Sequence, residues 1–216
     1  MPPRPLTSPP PRDALRVVLA SKSPRRRKLL AEHGIPFEVA PELLDDRGLR
    51  PGSVEPEAWV MSLAFLKASA AADHLPADFA PDAQVVLGAD TICVSPEGDA
   101  VGQPRDRADA ERTLRAFFGR EHRVLTGVAL LEPLTRRRAL FFDAATVRMG
   151  RLGDAELAAY LDSGGWEGKA GAYNLSERLE EGWPIEYEGD PTSIMGLPMG
   201  RLVDCLAAFA QRTQAA

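Results

Sequence analysis

Eight residues of this 216-residue chain have types suited to chemistry on an anionic ligand. Ser21, Ser23, Arg25, Arg26, Lys67 and Lys169 supply hydroxyl donors and cations, and Asp46 and Asp90 supply carboxylates. A carboxylate close to a phosphate is repulsive unless a cation intervenes. Cations and acids are needed together when a metal ion bridges protein carboxylates to a polyphosphate. The set therefore points to metal-dependent attack of water on a nucleotide phosphate, and the elements around it must bring the residues together.

The apolar run Val17, Val18, Leu19 predicts a buried strand over residues 16–20. Ser23 as N-cap and Pro24 at the first helical position start a helix over 24–33, which Gly34 ends. Its first turn holds Arg25, Arg26 and Arg27, although a helix dipole prefers acids there. Arginines, free N–H groups and dipole together make a phosphate site; the same residues also fit a solvated basic face with an ordinary serine cap. A long helix is predicted over 55–73, with an apolar stripe of Trp59, Val60, Leu63, Leu66 and Ala70. Lys67 falls inside that stripe, so it either snorkels to the core edge or reaches an anion in a cleft. Residues 85–94 are apolar at both alternations, the pattern of a central strand covered on both faces. Asp90 interrupts them. It is either a polar cap where the strand ends at Ala89 or a carboxylate with a task, because an unpaired buried charge is costly.

The remaining pattern is α/β. It comprises a short strand over 37–40, an acidic loop with Glu42, Asp45 and Asp46, and a hairpin turn at Gly98 and Asp99 leading to Val101 and Gly102. An amphipathic helix over 106–118 stops at Gly119. Two antiparallel strands over 122–131 and 140–149 and a helix over 153–162 follow. A glycine-rich loop over 164–173 contains Lys169, where glycine lets backbone approach a ligand. A strand over 184–188, a glycine-bearing turn over 192–197 and a helix over 198–211, with Leu202, Val203, Leu206 and Phe209 inward, complete the chain. Residues 1–13 read as a disordered proline-rich tail and 14–212 as a single domain.

Composition narrows the function. A formal net charge of −5 argues against bulk nucleic-acid or membrane-surface binding, which needs a basic field. Cys93 and Cys205 lie in apolar patterns and read as reduced core thiols of a cytoplasmic protein. No apolar run approaches the ~18 residues of a membrane span, and the N-terminus lacks a signal-peptide core. His33, His74 and His122 have no zinc-type spacing. Walker A, dinucleotide-glycine and Gly-x-Ser-x-Gly patterns do not occur.

Four motifs in order resemble the Maf family of nucleoside triphosphate pyrophosphatases, also described as septum formation inhibitors. They are Ser21-x-Ser23-Pro24-Arg25-Arg26, Gly88-Ala89-Asp90-Thr91, Lys169-Ala170-Gly171-Ala172-Tyr173 and Gly196-Leu197-Pro198. The resemblance implies an elongated mixed β-sheet with flanking helices, two lobes around a central cleft, as in inosine-triphosphatase-like folds, and often a homodimer. It implies hydrolysis of a nucleoside triphosphate to monophosphate and pyrophosphate with a divalent metal, Mg²⁺ or Mn²⁺. Asp90 would be the proton acceptor, Asp46 and Asp90 would hold metal, and Lys67 would be a substrate-site lysine.

The sequence departs from the family pattern in two places. The family usually carries Gly-Lys-Pro after the hairpin, where this chain has Gly102-Gln103-Pro104. One phosphate-neutralising charge is missing unless a neighbour such as Arg105 substitutes. This also motivates a second reading, a nucleotide-binding regulator with weak or lost catalysis. In the branch preferring dTTP and UTP, base choice falls on positions matching Arg25, Thr91 and Ser176. The first two agree, but Ser176 stands where that branch has glutamine. Surplus or modified nucleotides are the other substrates expected.

Overall fold

The computed structural model describes residues 16–40, 43–46, 48–75 and 84–213. The expected tail, Glu42 and the start of the expected domain at residues 14–15 lie outside them.

Strand β1 (Arg16–Ala20) runs through Ser21–Ser23 into helix α1 (Pro24–Glu32). The Ser23 hydroxyl accepts from the Arg26 N–H at 3.5 Å, so the predicted cap is in place. Strand β2 (Phe37–Val39), helix α2 (Pro56–Ala72) and strand β3 (Gln84–Val94) follow. Strand β4 (Ala100–Val101), helix α3 (Arg107–Phe117) and the long strands β5 (Arg120–Leu131) and β6 (Arg138–Met149) come next. The chain continues through α4 (Asp154–Asp162), a 3₁₀ turn at Ala170–Ala172, α5 (Leu175–Glu180), β7 (Ile185–Glu188), α6 (Pro191–Ile194) and α7 (Met199–Thr213).

One mixed sheet carries all seven described strands in the order β2-β1-β3-β5-β6-β7, with β4 beside β3. β1 is parallel to β2 and β3, and the remaining pairs are antiparallel. The expected α/β class and the antiparallel β5–β6 pair are both present.

As its double apolar alternation requires, β3 is covered on both faces. Val85, Leu87 and Ala89 pack with Leu29 and Leu30 of α1 and with Leu202, Leu206 and Phe209 of α7. Val86 packs on the other face with Ala64, Ala68 and Ala71 of α2. A third cluster joins α3, α4, Trp166, Tyr173 and Trp183 around Cys93. Burying large apolar side chains is worth about 1.5–3 kcal/mol each, so these clusters hold α1, α7, α2, α3 and α4 against one sheet.

Three helix details differ from the sequence reading. α2 turns Val60, Leu63, Ala64, Ala68 and Ala71 inward, while Leu66 is 40 % exposed. Alanines displace the larger apolar residues because α2 lies almost on the sheet backbone. A Cβ at Gly88 would stand 2.1 Å from the Ala64 carbonyl oxygen, and one at Gly127 would stand 2.4 Å from that of Val60. Val203 of α7 faces outward, since Leu202, Leu206 and Phe209 already fill that seam. The predicted 192–197 turn contains α6, capped by Asp190, whose carboxylate accepts from the Thr192 N–H at 2.8 Å.

Candidate active site

The sheet leaves a notch. β1 pairs with β3 as far as Gly88, and β4 pairs with it only from Cys93. Residues 89–92 of β3 therefore have a strand neighbour only on the β5 side. Ser21–Ser23 and the start of α1 stand beside this notch, at the carboxyl end of a parallel strand, the usual ligand position in open α/β sheets. A cavity of about 550 Å³ occupies it, with Ser21, Ser23, Arg25, Arg26, Lys67, Asp90, Thr91 and Lys169 among its walls.

Close approach of α2 at Gly88 and Gly127 brings Lys67 to the sheet. Its Nζ lies 2.5 Å from Asp90 Oδ1 and 2.7 Å from Asp46 Oδ2. The Lys67 and Asp90 side chains are each 13 % exposed. Burial pushes the Asp90 carboxyl above the usual aspartate range, while the cations of Lys67 and Arg26 pull it down. Lys67 is thus neither an ordinary core residue nor a solvated one. It sits at the flank of the buried face, joining two acids.

Arg26 is 9 % exposed and organises the opposite wall. It donates through Nε to the Gly196 carbonyl at 2.9 Å, through Nη1 to Ser21 Oγ at 2.9 Å and through Nη2 to Thr91 Oγ1 at 3.1 Å. Thr91 and Thr126 hydroxyls lie 2.9 Å apart, and Thr126 donates to the Ser193 carbonyl at 2.7 Å. A hydroxyl has one proton. Thr126 spends its proton on Ser193, so Thr91 must donate to Thr126. A directed chain runs from Arg26 through Thr91 and Thr126 into α6.

Lys169 and Glu177 form an ion pair at the far end of the cavity. Arg25 donates to the Gly168 carbonyl at 3.4 Å, and burial lowers its pKa against the opposing charge of Glu177. Ser176 does not line the cavity: its hydroxyl donates to Asn174 Oδ1 at 2.9 Å, within the cap of α5. Gln103 does line it. Arg105 gives its backbone N–H and Nε to Asp109 Oδ2, both at 3.1 Å, and does not line the cavity. Glu177 and Asn174 belong to the cavity wall, and Thr126 and Ser193 support it. The sequence reading assigned none of these four a role. The one available signal was Thr126, a hydroxyl inside the apolar run of β5.

The residues fit a divalent cation by the chemistry of the donors. Asp46 and Asp90 offer hard carboxylate oxygens to one point, now taken by Nζ of Lys67. Among the described residues no group of three or more His, Cys, Asp or Glu side chains could hold a metal. One or two carboxylates completed by substrate phosphates is a normal magnesium arrangement.

A family profile described as Maf-like protein matches residues 16–209. The chain belongs to the Maf family. Proteins similar to it include a dTTP/UTP pyrophosphatase of Caldanaerobacter subterraneus subsp. tengcongensis, 34 % identical over 195 residues that cover 89 % of this chain and 88 % of that protein. The dTTP/UTP pyrophosphatase of Symbiobacterium thermophilum is 37 % identical over 193 residues, covering 89 % and 93 %. That of Cupriavidus pinatubonensis is 38 % identical over 188 residues, covering 84 % and 90 %. All four sequence motifs that resembled Maf proteins contribute residues to the cavity.

Proposed function

We propose that this Maf protein hydrolyses nucleoside triphosphates to the monophosphate and pyrophosphate. The observation that carries the reading is the placement of Asp90, joined through Lys67 to Asp46 behind it, and a buried arginine–serine wall around one cavity. Similarity to dTTP/UTP pyrophosphatases over 89 % of this chain supports it.

Asp90 is the group to take the proton. It sits at the cavity wall, and burial raises its basicity. Water adds to the α-phosphorus, its proton passes to the Asp90 carboxylate, the bond to the bridging α–β oxygen breaks, and pyrophosphate leaves. Ser21, Ser23, Arg25, Arg26 and Lys169 bind and orient the phosphates, with the N-terminus of α1 adding its dipole. Mg²⁺ or Mn²⁺ held by Asp46 and Asp90 would lower the pKa of the attacking water and offset phosphate charge. dTTP and UTP are the substrates proposed first, with Arg25 and Thr91 reading the base and Ser176 leaving that reading incomplete. A single catalytic domain, a homodimer and a cytoplasmic site of action go with this proposal. Among the described residues no helix is long and apolar enough to cross a membrane.

Gln103 on the cavity wall favours one rival reading, a nucleotide-binding regulator without turnover. Incubating the protein with a panel of nucleoside triphosphates and Mg²⁺ or Mn²⁺ separates the two. Pyrophosphate released from dTTP or UTP supports the enzyme. Tight nucleotide binding with no pyrophosphate from any member of the panel supports the regulator.

A further inference from the structure

We infer that Lys67 occupies the metal position of the acid pair when nucleotide is absent, so that metal enters only together with the triphosphate. The inference rests on the proposed metal-dependent reaction but concerns the order of binding.

Three observations carry it. Lys67 Nζ lies 2.5 Å from Asp90 Oδ1 and 2.7 Å from Asp46 Oδ2, the place where a divalent ion would meet both oxygens. The ammonium is almost enclosed and is held there by α2, whose backbone rests on Gly88 and Gly127. The described residues offer no third acid or imidazole to outbid it. A monovalent cation between two carboxylates leaves little net charge to attract a free divalent ion, and a buried like charge at such range repels it strongly. A triphosphate changes both terms. It brings phosphate oxygens to complete the metal's ligands, and it gives the displaced ammonium an anion of its own. Lys67 also lines the cavity, so its Nζ can exchange carboxylates for phosphate without crossing the core.

The test reads Mn²⁺ binding by electron paramagnetic resonance and calorimetry, without turnover. In the nucleotide-free protein, Lys67→Met is expected to bind Mn²⁺ roughly tenfold or more tightly than the natural protein. Adding α,β-methylene UTP should tighten Mn²⁺ binding by the natural protein and narrow the gap. The double variant Lys67→Met with Asp46→Asn should lose the gain. Lys67→Gln gives the same ordering should the Met variant fold poorly, and Mn²⁺ should raise the melting temperature of either variant more than that of the natural protein. Equal Mn²⁺ affinity in the natural protein and both Lys67 variants overturns the inference, because lysine and metal then coexist. A gain that survives Asp46→Asn overturns it as well, because the acid pair is then not the metal position. Failure of the enzymatic reading is a separate result: no pyrophosphate from any triphosphate, whatever the order of metal binding.

Discussion

Asp90 is the residue on which the chemistry turns. Apart from Thr91 it lies among apolar residues of its strand, and burial opposes its charge while Lys67 and Arg26 favour it. Asn in its place keeps the shape and removes both charge and basicity. General-base catalysis commonly supplies ~10²–10⁴-fold, so Asp90→Asn should lose at least ~10²-fold in turnover while circular dichroism and the melting curve stay native. Added Mn²⁺ should rescue it in part if the lost role is metal binding and not at all if it is proton acceptance. A base must be ionised to accept a proton, so activity should drop on the acid side of the pH–rate profile as the Asp90 carboxylate is protonated. Thr126 offers a second residue-scale test. Thr126→Val keeps the shape, orphans the Ser193 carbonyl and leaves the Thr91 hydroxyl without its acceptor. An unsatisfied buried polar group costs about 1–3 kcal/mol. The expected outcome is a several-fold higher KM with the folded state retained, and Thr126→Ser should restore it.

At the scale of elements, the site depends on how closely α2 approaches the sheet. Gly127 pairs with Asp90 across β3 and β5, and its missing Cβ makes room for the Val60 carbonyl. An added methyl there cannot be absorbed by side-chain movement, because the atoms it meets are backbone. Overpacking of this kind costs about 1–3 kcal/mol. Gly127→Ala should therefore lower the melting temperature by several degrees. It should also push Lys67 away from Asp46 and Asp90, and a misplacement of about 1 Å at a reacting centre can cost ~10²-fold. Steady-state assays of the folded variant check this directly: a loss of stability with unchanged kcat/KM would separate α2 packing from the chemistry.

Across the whole molecule, the buried polar network sets how stability depends on pH. His122 is 2 % exposed, stacks on Phe117 at 3.9 Å and shares a 2.9 Å hydrogen bond with the Tyr173 hydroxyl. Burial pushes its pKa down from 6.5 to about 4. The unfolded chain takes up a proton near pH 6.5 and the folded protein does not. The contribution of neutral His122 is therefore present above pH 6.5 and is lost as pH falls toward 4. The loss is on the order of 3 kcal/mol for such a shift. Denaturant titrations from pH 7 to pH 4 should show this decline, and His122→Gln should flatten it. An unchanged slope in that variant would assign the acid sensitivity to carboxylates instead.

Much of this was legible in the sequence because it is local. The strand-to-helix step at Ser23-Pro24, the doubly apolar β3 and the stop at Gly119 follow from capping, periodicity and backbone freedom within a few residues. The types and order of Ser21, Arg26, Lys67, Asp90 and Lys169 pointed to anion chemistry, and the motifs that contain them pointed to the Maf family. Tertiary structure alone decided which faces are used and who touches whom. The stripe on α2 could not be read correctly, because the helix turns its smallest residues inward to meet Gly88 and Gly127, which lie outside its own sequence. The bridge from Lys67 to two acids, the relay from Arg26 to Ser193 and the turning away of Ser176 join residues far apart in the chain or depend on a cap partner's geometry. Hydrogen-bond direction and ion pairing are set by the positions of several elements at once, and no local pattern encodes those positions.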